Sequence, residues 1–310
     1  MIAAFVNPHS RANRKNPLWA TRLAQAMGDA GRVIAAASLE ALDDEARAMV
    51  AAPPRVIAVH GGDGTLHKTL TALVRAFGSR PLPPIAILGG GTMNVVATSL
   101  GIRVPAVPFI TRLAARDRAG EPPALLYRRC IRVGDHMGFV FGNGLLANFL
   151  VEYYAGAQYG PARALWLLSR LFLSALVGGP FARRVFKRFR GMVVVDGKAL
   201  DFPSLTAIGA GTVGQVGLGF KLFHQADDDQ DRFAVLAIHA GARALLSDLL
   251  AVRTGRGISP THALSTVASD LEIRPLELDT PYTIDGDIYR ARQSLLITLG
   301  PKVAIVDPHH

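Results

Sequence analysis

The sequence predicts an α/β plus β fold in two domains, a parallel α/β first half and a β-rich, sandwich-like second half. Three observations carry that prediction. Through residue 124, short apolar runs alternate with segments of helical spacing. After the stretch Arg116–Pro123 (RDRAGEPP), the runs are separated instead by tight-turn dipeptides. A length of 310 residues corresponds to about two domains, and a chain 50% apolar and 19% charged can fill a large core in each. Residues 1–124 and 125–310 are the expected domains, with the last segment able to pack back on the first.

The first half opens with the strand Ile2–Asn7, which ends in a turn. Helical spacing of Leu18, Leu23, Ala26 and Met27 predicts a helix over 18–30. Arg32–Ala37 is a second strand and Asp43–Val50 a short helix. Arg55–His60 is a third strand that enters the glycines at 61–64, followed by a helix through Lys68–Phe77. Pro83–Leu88 is a fourth strand that enters another glycine cluster, before a helix at Asn94–Leu100. Apolar strands alternating with helices indicate a parallel sheet covered on both faces. In the second half, Gly134-Asp135 and Asp196-Gly197 are hairpin turns. The first joins Leu125–Val133 to Met137–Phe141, and the second joins Met192–Val195 to Ala199–Phe202. Thr206–Ala210, Phe233–His239, Leu271–Pro275, Tyr282–Asp285 and Ser294–Leu299 are further strands, interrupted by helices at Ala162–Val177 and Ala242–Arg253.

Composition excludes several classes. A single cysteine, Cys130, rules out a disulfide framework or a Cys-based zinc cluster and fits a reducing compartment. The N-terminus lacks a basic segment followed by a long apolar run, so no secretory signal is expected. Arg170 interrupts the most apolar stretch, Ala164–Phe181, which is too short to span a bilayer. The net charge of +10 comes without a nucleic-acid-binding motif, so no nucleic-acid partner is expected.

Two glycine turns carry the chemistry. His60-Gly61-Gly62-Asp63-Gly64-Thr65 follows an apolar strand and precedes a helix, where free N–H groups and the positive dipole end suit phosphate. Read structurally, it is a glycine-rich turn with Asp63 as a helix N-cap. Gly89-Gly90-Gly91-Thr92-Met93-Asn94 has the same context after the next strand. Ligands of parallel α/β sheets bind at the carboxyl ends of strands, so the two loops are placed to wall one crevice. Neither has the Lys of a Walker A loop nor the Gly-x-Gly-x-x-Gly spacing of dinucleotide folds.

These residues resemble the diacylglycerol kinase catalytic-domain superfamily: bacterial diacylglycerol and YegS-like lipid kinases, sphingosine and ceramide kinases and, more distantly, NAD kinases and phosphofructokinases. Asn7-Pro8-His9-Ser10 is similar to the family's opening Asn-Pro-x-Ser, Gly61–Thr65 to its GGDGT, and Gly91-Thr92-Met93-Asn94 to its Gly-Thr-x-Asn. Ile284-Asp285-Gly286-Asp287 stands where the family has Asp-Gly-Glu. The resemblance implies ATP, Mg²⁺ and phosphoryl transfer to a lipid hydroxyl, in a cleft between a nucleotide-binding α/β domain and the β-rich domain. It implies that Gly61, Gly62, Gly64 and Thr65 contact ATP phosphates and that Gly91, Thr92 and Asn94 line the same site. Asn7, which supports the loops from the first strand end, Ser10 and Asp285 count among the nucleotide-binding residues, and Ser38 falls where the family often has a nucleotide-contacting Thr. By the same resemblance Asp63 organises Mg²⁺, and Asp287 accepts the hydroxyl proton with Asp285 beside it.

The chain departs from the pattern at four places. Arg11 replaces a Gly, His67-Lys68 an Asn-Glu pair, Val95 an Asp, and Asp287 the longer Glu. Some members hold a structural Mg²⁺ through an Asp-Gly segment; here Asp227–Arg232 lacks the Gly, leaving Asp228 and Asp231 as candidate ligands or as part of a solvated acidic loop. Arg183, Arg184, Lys187, Arg188 and Arg190, interleaved with Val185, Phe186 and Phe189, make either a solvated turn or a contact for an anionic membrane surface. The expectation is a cytoplasmic, peripherally membrane-associated lipid kinase, with homodimerisation open. The alternatives are a catalytically silent nucleotide- or lipid-binding relative and a kinase of a soluble small molecule.

Overall fold

The computed structural model describes residues 1–91, 93–156, 160–202 and 204–309, with the side chains of residues 11 and 12 excepted. The chain divides into two compact units. The first comprises Met1–Cys130, Asp135–Met137 and Pro301–His310, and the second Ile131–Gly134 and Gly138–Gly300.

The first unit is built in the order β1 (Ile2–Val6), α1 (Arg11–Lys15), α2 (Trp19–Met27), β2 (Gly31–Ala35), α3 (Leu39–Ala51), β3 (Val56–Gly61), α4 (Asp63–Phe77), β4 (Ile85–Gly89), α5 (Val95–Ser99) and α6 (Ala106–Arg118). Strands β1 and β3 are buried at every position, as expected of central parallel strands covered on both faces. All pairings among β1–β4 are parallel, in the order β2-β1-β3-β4. Helices α2 and α6 close one face: Leu23 and Met27, together with Phe109, Ile110 and Leu113, pack on Ile2, Ala4, Ala58 and Leu88. The sequence reading did not include α6, which contains Pro108. It lies in the helix's first turn, where its missing N–H breaks no helical bond.

Next come β5 (Leu125–Val133) and β6 (His136–Gly138), and then the elements of the second unit. These are β7 (Val140–Gly144), α7 (Leu145–Tyr154), α8 (Pro161–Val177), α9 (Pro180–Val185), β8 (Gly191–Val195), β9 (Lys198–Ala199), β10 (Ala207–Gly211), β11 (Phe233–Ile238), α10 (Ala242–Thr254), β12 (Ala263–Ala268), β13 (Asp270–Pro275), β14 (Thr280–Ile284), β15 (Asp287–Ala291) and β16 (Leu295–Val306). Six strands form an antiparallel sheet ordered β12-β11-β10-β7-β14-β15. The first part of β16 pairs antiparallel with β13, which pairs in turn with β8. Phe141, Phe233, Ile273, Ile284 and Ile297 fill the core of this unit. The expected α/β plus β class, parallel and then antiparallel, is the observed one.

Strand β16 is longer than its sequence advertises. Gly300-Pro301 looks like an end signal, yet the strand continues to Val306, and Ile305 pairs in parallel with Ile85 of β4. At that Gly-Pro step the chain passes from the second unit into the first.

Candidate functional site

The first unit gathers most of the sequence-predicted site residues at the carboxyl ends of β1, β3 and β4. Helix α4 begins at Asp63, so the last three residues of GGDGT are its first turn and the expected start at Lys68 is one turn late. Gly62 is the N-cap, with extended backbone (φ −93°) and no side chain to cover the helix end. Gly62, Asp63, Gly64 and Thr65 are all half-buried and reachable from solvent.

Three side chains fix this turn. Asn7, just past β1, donates from Nδ2 to Thr65 Oγ1 at 3.1 Å and accepts the His9 N–H on Oδ1 at 2.9 Å. Asn13, missed by the sequence reading, is buried on α1 and donates to the Asn7 carbonyl at 2.5 Å. Ser10 accepts the Asn13 N–H at 3.4 Å, so its hydroxyl serves the start of α1. The third fixture is Asp63, whose Oδ1 accepts the Val96 N–H at 3.1 Å. The carboxylate therefore caps α5 from the neighbouring loop and does not cap its own helix.

The second loop is clamped to the first. Gly90 donates its N–H to the Gly61 carbonyl at 2.8 Å. A Cβ on Gly91 would overlap the Gly62 Cα, and one on Gly61 would overlap Thr65. These glycines are required by loop-on-loop packing before any ligand is considered. Asn94 takes the left-handed conformation (φ 46°) and exchanges hydrogen bonds with Gly91, Oδ1 accepting its N–H at 2.9 Å and Nδ2 donating to its carbonyl at 3.3 Å. Asn is among the few residues that tolerate this region. The Thr92 reading lies outside the described residues. A small void of about 10 Å³ remains beneath the loops, bounded by Val59, Gly61, Asp63, Leu66, Asn94 and Ala97.

Ser38 is elsewhere in this unit. It is the exposed N-cap of α3, with Oγ accepting the Ala41 N–H at 3.1 Å. A groove of about 420 Å³ runs beside it, lined by Arg32–Ala36 of and just beyond β2 and by Ala41, Asp44 and Glu45 of α3.

Two histidines close to the loops are structural. His67 on α4 is fully buried with Nδ1 2.6 Å from the Met137 carbonyl, so Nδ1 carries the proton and donates. Thr71 Oγ1 accepts the Met137 N–H at 3.0 Å, fixing the same segment. His60, the last β3 residue before Gly61, is also fully buried. Its ring lies 4.6 Å from that of Trp19, and neither ring nitrogen has a hydrogen-bond partner among the described residues. A Cβ on Gly90 would stand 2.9 Å from its Nε2. Burial pushes the imidazole down to about 4. The unfolded chain, near 6.5, therefore binds the proton first, and stability is lost as pH falls from 6.5 toward 4. Wild type is expected to lose about 2 kcal/mol more than His60→Leu between pH 7 and pH 5 in urea unfolding. Parallel pH profiles would show that His60 is not the titrating group.

The remaining candidates belong to the second unit. Asp285 and Gly286 form the two-residue turn of the β14–β15 hairpin, both with positive φ (47° and 89°). The Asp285 carboxylate accepts the N–H groups of Phe139 and Val140 at 2.8–3.1 Å. Asp287, half-buried, opens β15 opposite Ile284. Asp228 and Asp231 are exposed in a turn where Asp229 Oδ1 accepts the Asp231 N–H at 2.8 Å. No group of three or more His, Cys, Asp or Glu able to hold a metal occurs among the described residues. Of the basic segment, the five cationic residues are exposed, but Val185 and Phe189 are buried in the core rather than offered to an interface.

Residues 1–119 match the diacylglycerol kinase catalytic domain. The fold is shared with solved structures along nearly its whole length. A diacylglycerol kinase from Bacillus anthracis str. Sterne is 13% identical with a TM-score of 0.64, covering 98% of this chain and 96% of that one. Two candidate diacylglycerol kinases from the same organism are each 15% identical. Their TM-scores are 0.72 and 0.67, with coverage of 98% and 99% of this chain and 96% and 97% of theirs. No curated protein matches the chain. The protein thus has a first segment that matches the diacylglycerol kinase catalytic domain and a fold like that of these solved structures. In that domain the glycine pair, Asn7, Asp63 and Asn94 form one hydrogen-bonded frame.

Proposed function

We propose that the protein is an ATP- and Mg²⁺-dependent lipid kinase that transfers the γ-phosphate to the hydroxyl of a diacylglycerol- or sphingosine-type acceptor. The observation that carries this reading is the pair of clamped glycine loops at the ends of β3 and β4, in a domain of the diacylglycerol kinase family. The half-buried first turn of α4 offers backbone N–H groups and a positive dipole end to phosphate. A carboxylate in that turn competes with phosphate for the same positive charge, and Asp63 would hold a divalent cation that offsets the repulsion. The residues fit such a cation. Asp63 is a half-buried carboxylate reachable from solvent, the donor type that Mg²⁺ takes. Mg²⁺ commonly takes one or two carboxylates, and phosphates and water complete its shell. When bound it supplies charge neutralisation of the phosphates.

Phosphoryl transfer needs positioning and charge stabilisation more than covalent chemistry from the protein. The acceptor oxygen forms a bond to the γ-phosphorus while the bond to the β-bridging oxygen breaks, and ADP leaves. The hydroxyl proton passes to Asp287, the late acid that stands for the family's Glu. Lipid kinases take their acceptor from a bilayer, and no helix among the described residues is long and apolar enough to cross one. The enzyme would work as a peripheral protein on the cytoplasmic face, where ATP is available.

The test is incubation with labelled ATP, Mg²⁺ and mixed micelles containing diacylglycerol, monoacylglycerol, sphingosine, ceramide or phosphatidylglycerol. A labelled lipid from wild type and at least about a hundredfold less from Asp287→Ala is expected. An Asp287→Ala enzyme of full activity refutes that residue as the base. No labelled lipid from any acceptor, with ATP bound, would favour a silent relative.

A further inference from the structure

Helix α8 is apolar around most of its circumference. Ala164, Leu167, Leu171 and Ala175 are buried against the second unit. Leu165, Trp166, Phe172, Leu173, Leu176 and Val177 are exposed, Leu173 at 63% and Val177 at 77%. At 100° per residue these six occupy a continuous stripe about 140° wide, opposite the buried side. Ser169, the polar residue within the stripe, satisfies its hydroxyl on the Leu165 carbonyl at 3.0 Å. A water-facing surface helix carries charges on such a face, and contiguous exposed apolar area marks an interaction surface.

One flank of the stripe is cationic. The Arg163 and Arg170 guanidinium groups lie 5.0 and 5.5 Å from the Trp166 ring centroid, and Arg170 also lies 4.4 Å from Phe181 on α9. Arg183 and Arg184 follow on α9, both exposed. From Tyr153 to Val195 the sequence has seven Lys or Arg residues and no Asp or Glu. An outward apolar ridge with Trp at its margin and Arg along one edge, where the one nearby acid, Glu152, is ion-paired to Arg184 at 3.0 Å, matches the layered chemistry of an anionic bilayer surface: apolar chains, an aromatic zone, then negative headgroups.

We infer that α8 is a membrane-docking element, laying its Leu165–Val177 face into an anionic bilayer while Arg163, Arg170 and Arg183 engage the headgroups. The partner is the lipid surface itself. The inference deepens the lipid-kinase reading and rests on it for its purpose, but docking requires neither nucleotide nor turnover.

The test uses the full chain with vesicles of phosphatidylcholine alone, or with 30% phosphatidylglycerol, in the absence of ATP. Pelleting with the anionic vesicles and little with the neutral ones is expected. The double variant Leu173→Glu/Leu176→Glu, on positions already exposed, should lower partition by about tenfold or more. Vesicles with brominated acyl chains should quench the fluorescence of wild type, and that lipid-dependent quenching should vanish in Trp166→Phe, which leaves Trp19 as the only indole. No pelleting, pelleting unaffected by the double variant, or quenching that persists in Trp166→Phe each overturns the inference. So does a dimer in sedimentation equilibrium that the double variant dissociates, because a second copy then covers the face. Turnover on a monomeric short-chain acceptor separates the two readings: docking without turnover refutes the kinase and leaves α8, whereas turnover without docking does the reverse.

Discussion

Asp63→Ala is expected to reduce phosphoryl transfer by about a thousandfold or more and to lower stability by about 1 kcal/mol. The two effects have separate origins. Asp63 Oδ1 accepts the Val96 N–H, the cap that ties α5 to the first glycine loop. Losing a cap of this type costs about 0.5–2 kcal/mol. The loss of turnover is assigned instead to the negative charge, which the proposed chemistry uses to hold the cation that neutralises the phosphates. Asp63→Asn separates them, because its amide oxygen can still accept from Val96. It should keep stability within about 0.5 kcal/mol of wild type while remaining nearly inactive. An active Asp63→Asn enzyme would make Asp63 a cap and nothing more. An Asp63→Ala protein as stable as wild type would mean that the bond to Val96 contributes nothing.

That bond also marks the limit of what the amino-acid sequence could disclose. The glycine loops are legible because a fully buried strand running into glycines and then into a helix leaves a strong local trace. Central strands β1, β3 and β4 are legible because every position except His60 is apolar or small. Where local signals and tertiary context disagree, the context decides. Gly300-Pro301 announces an end, but β16 runs through it, with its later part alongside β4. Pro108 announces a break, and α6 accommodates it in the first turn.

The frame of the site is less legible than its motifs because its bonds join distant segments. Asn7 reaches Thr65 across 58 positions, and Asp63 reaches Val96 across 33. His60 looks like a neighbour of the chemistry, but it is a sealed core residue packed on Trp19. His67 replaces an Asn of the family pattern and uses its ring to pin Met137, 70 positions away. The apolar run at Ala164–Phe181 is visible in sequence; which of its faces is exposed is decided by the packing of Leu167 and Leu171.

Asp285→Ala is expected to destabilise the second unit by about 3–5 kcal/mol, the largest stability effect of any single site residue. Asp285 is only 8% exposed, and its carboxylate accepts two backbone N–H groups, those of Phe139 and Val140. A hydrogen bond to a charged acceptor contributes about 1.5–3 kcal/mol, and removing the acceptor leaves both donors stranded. The backbone adds to this. At φ 47° the residue sits in the left-handed region, which Asp tolerates and Ala does at a cost of about 1 kcal/mol. Gly138 is shaped for the contact, since a Cβ there would lie 2.8 Å from Asp285 Oδ2. Asp285→Asn keeps one acceptor oxygen and the turn conformation, so about half of the loss should return. Urea unfolding measures all three proteins. An alanine variant within 1 kcal/mol of wild type would refute the anchoring role. The same experiment distinguishes the two acids of the Asp285-Gly286-Asp287 turn. Asp285→Ala should lose activity by loosening the hairpin, with partial recovery at lower temperature. Asp287→Ala should lose activity with its unfolding midpoint nearly unchanged, because its proposed work is on the acceptor's proton rather than on the fold.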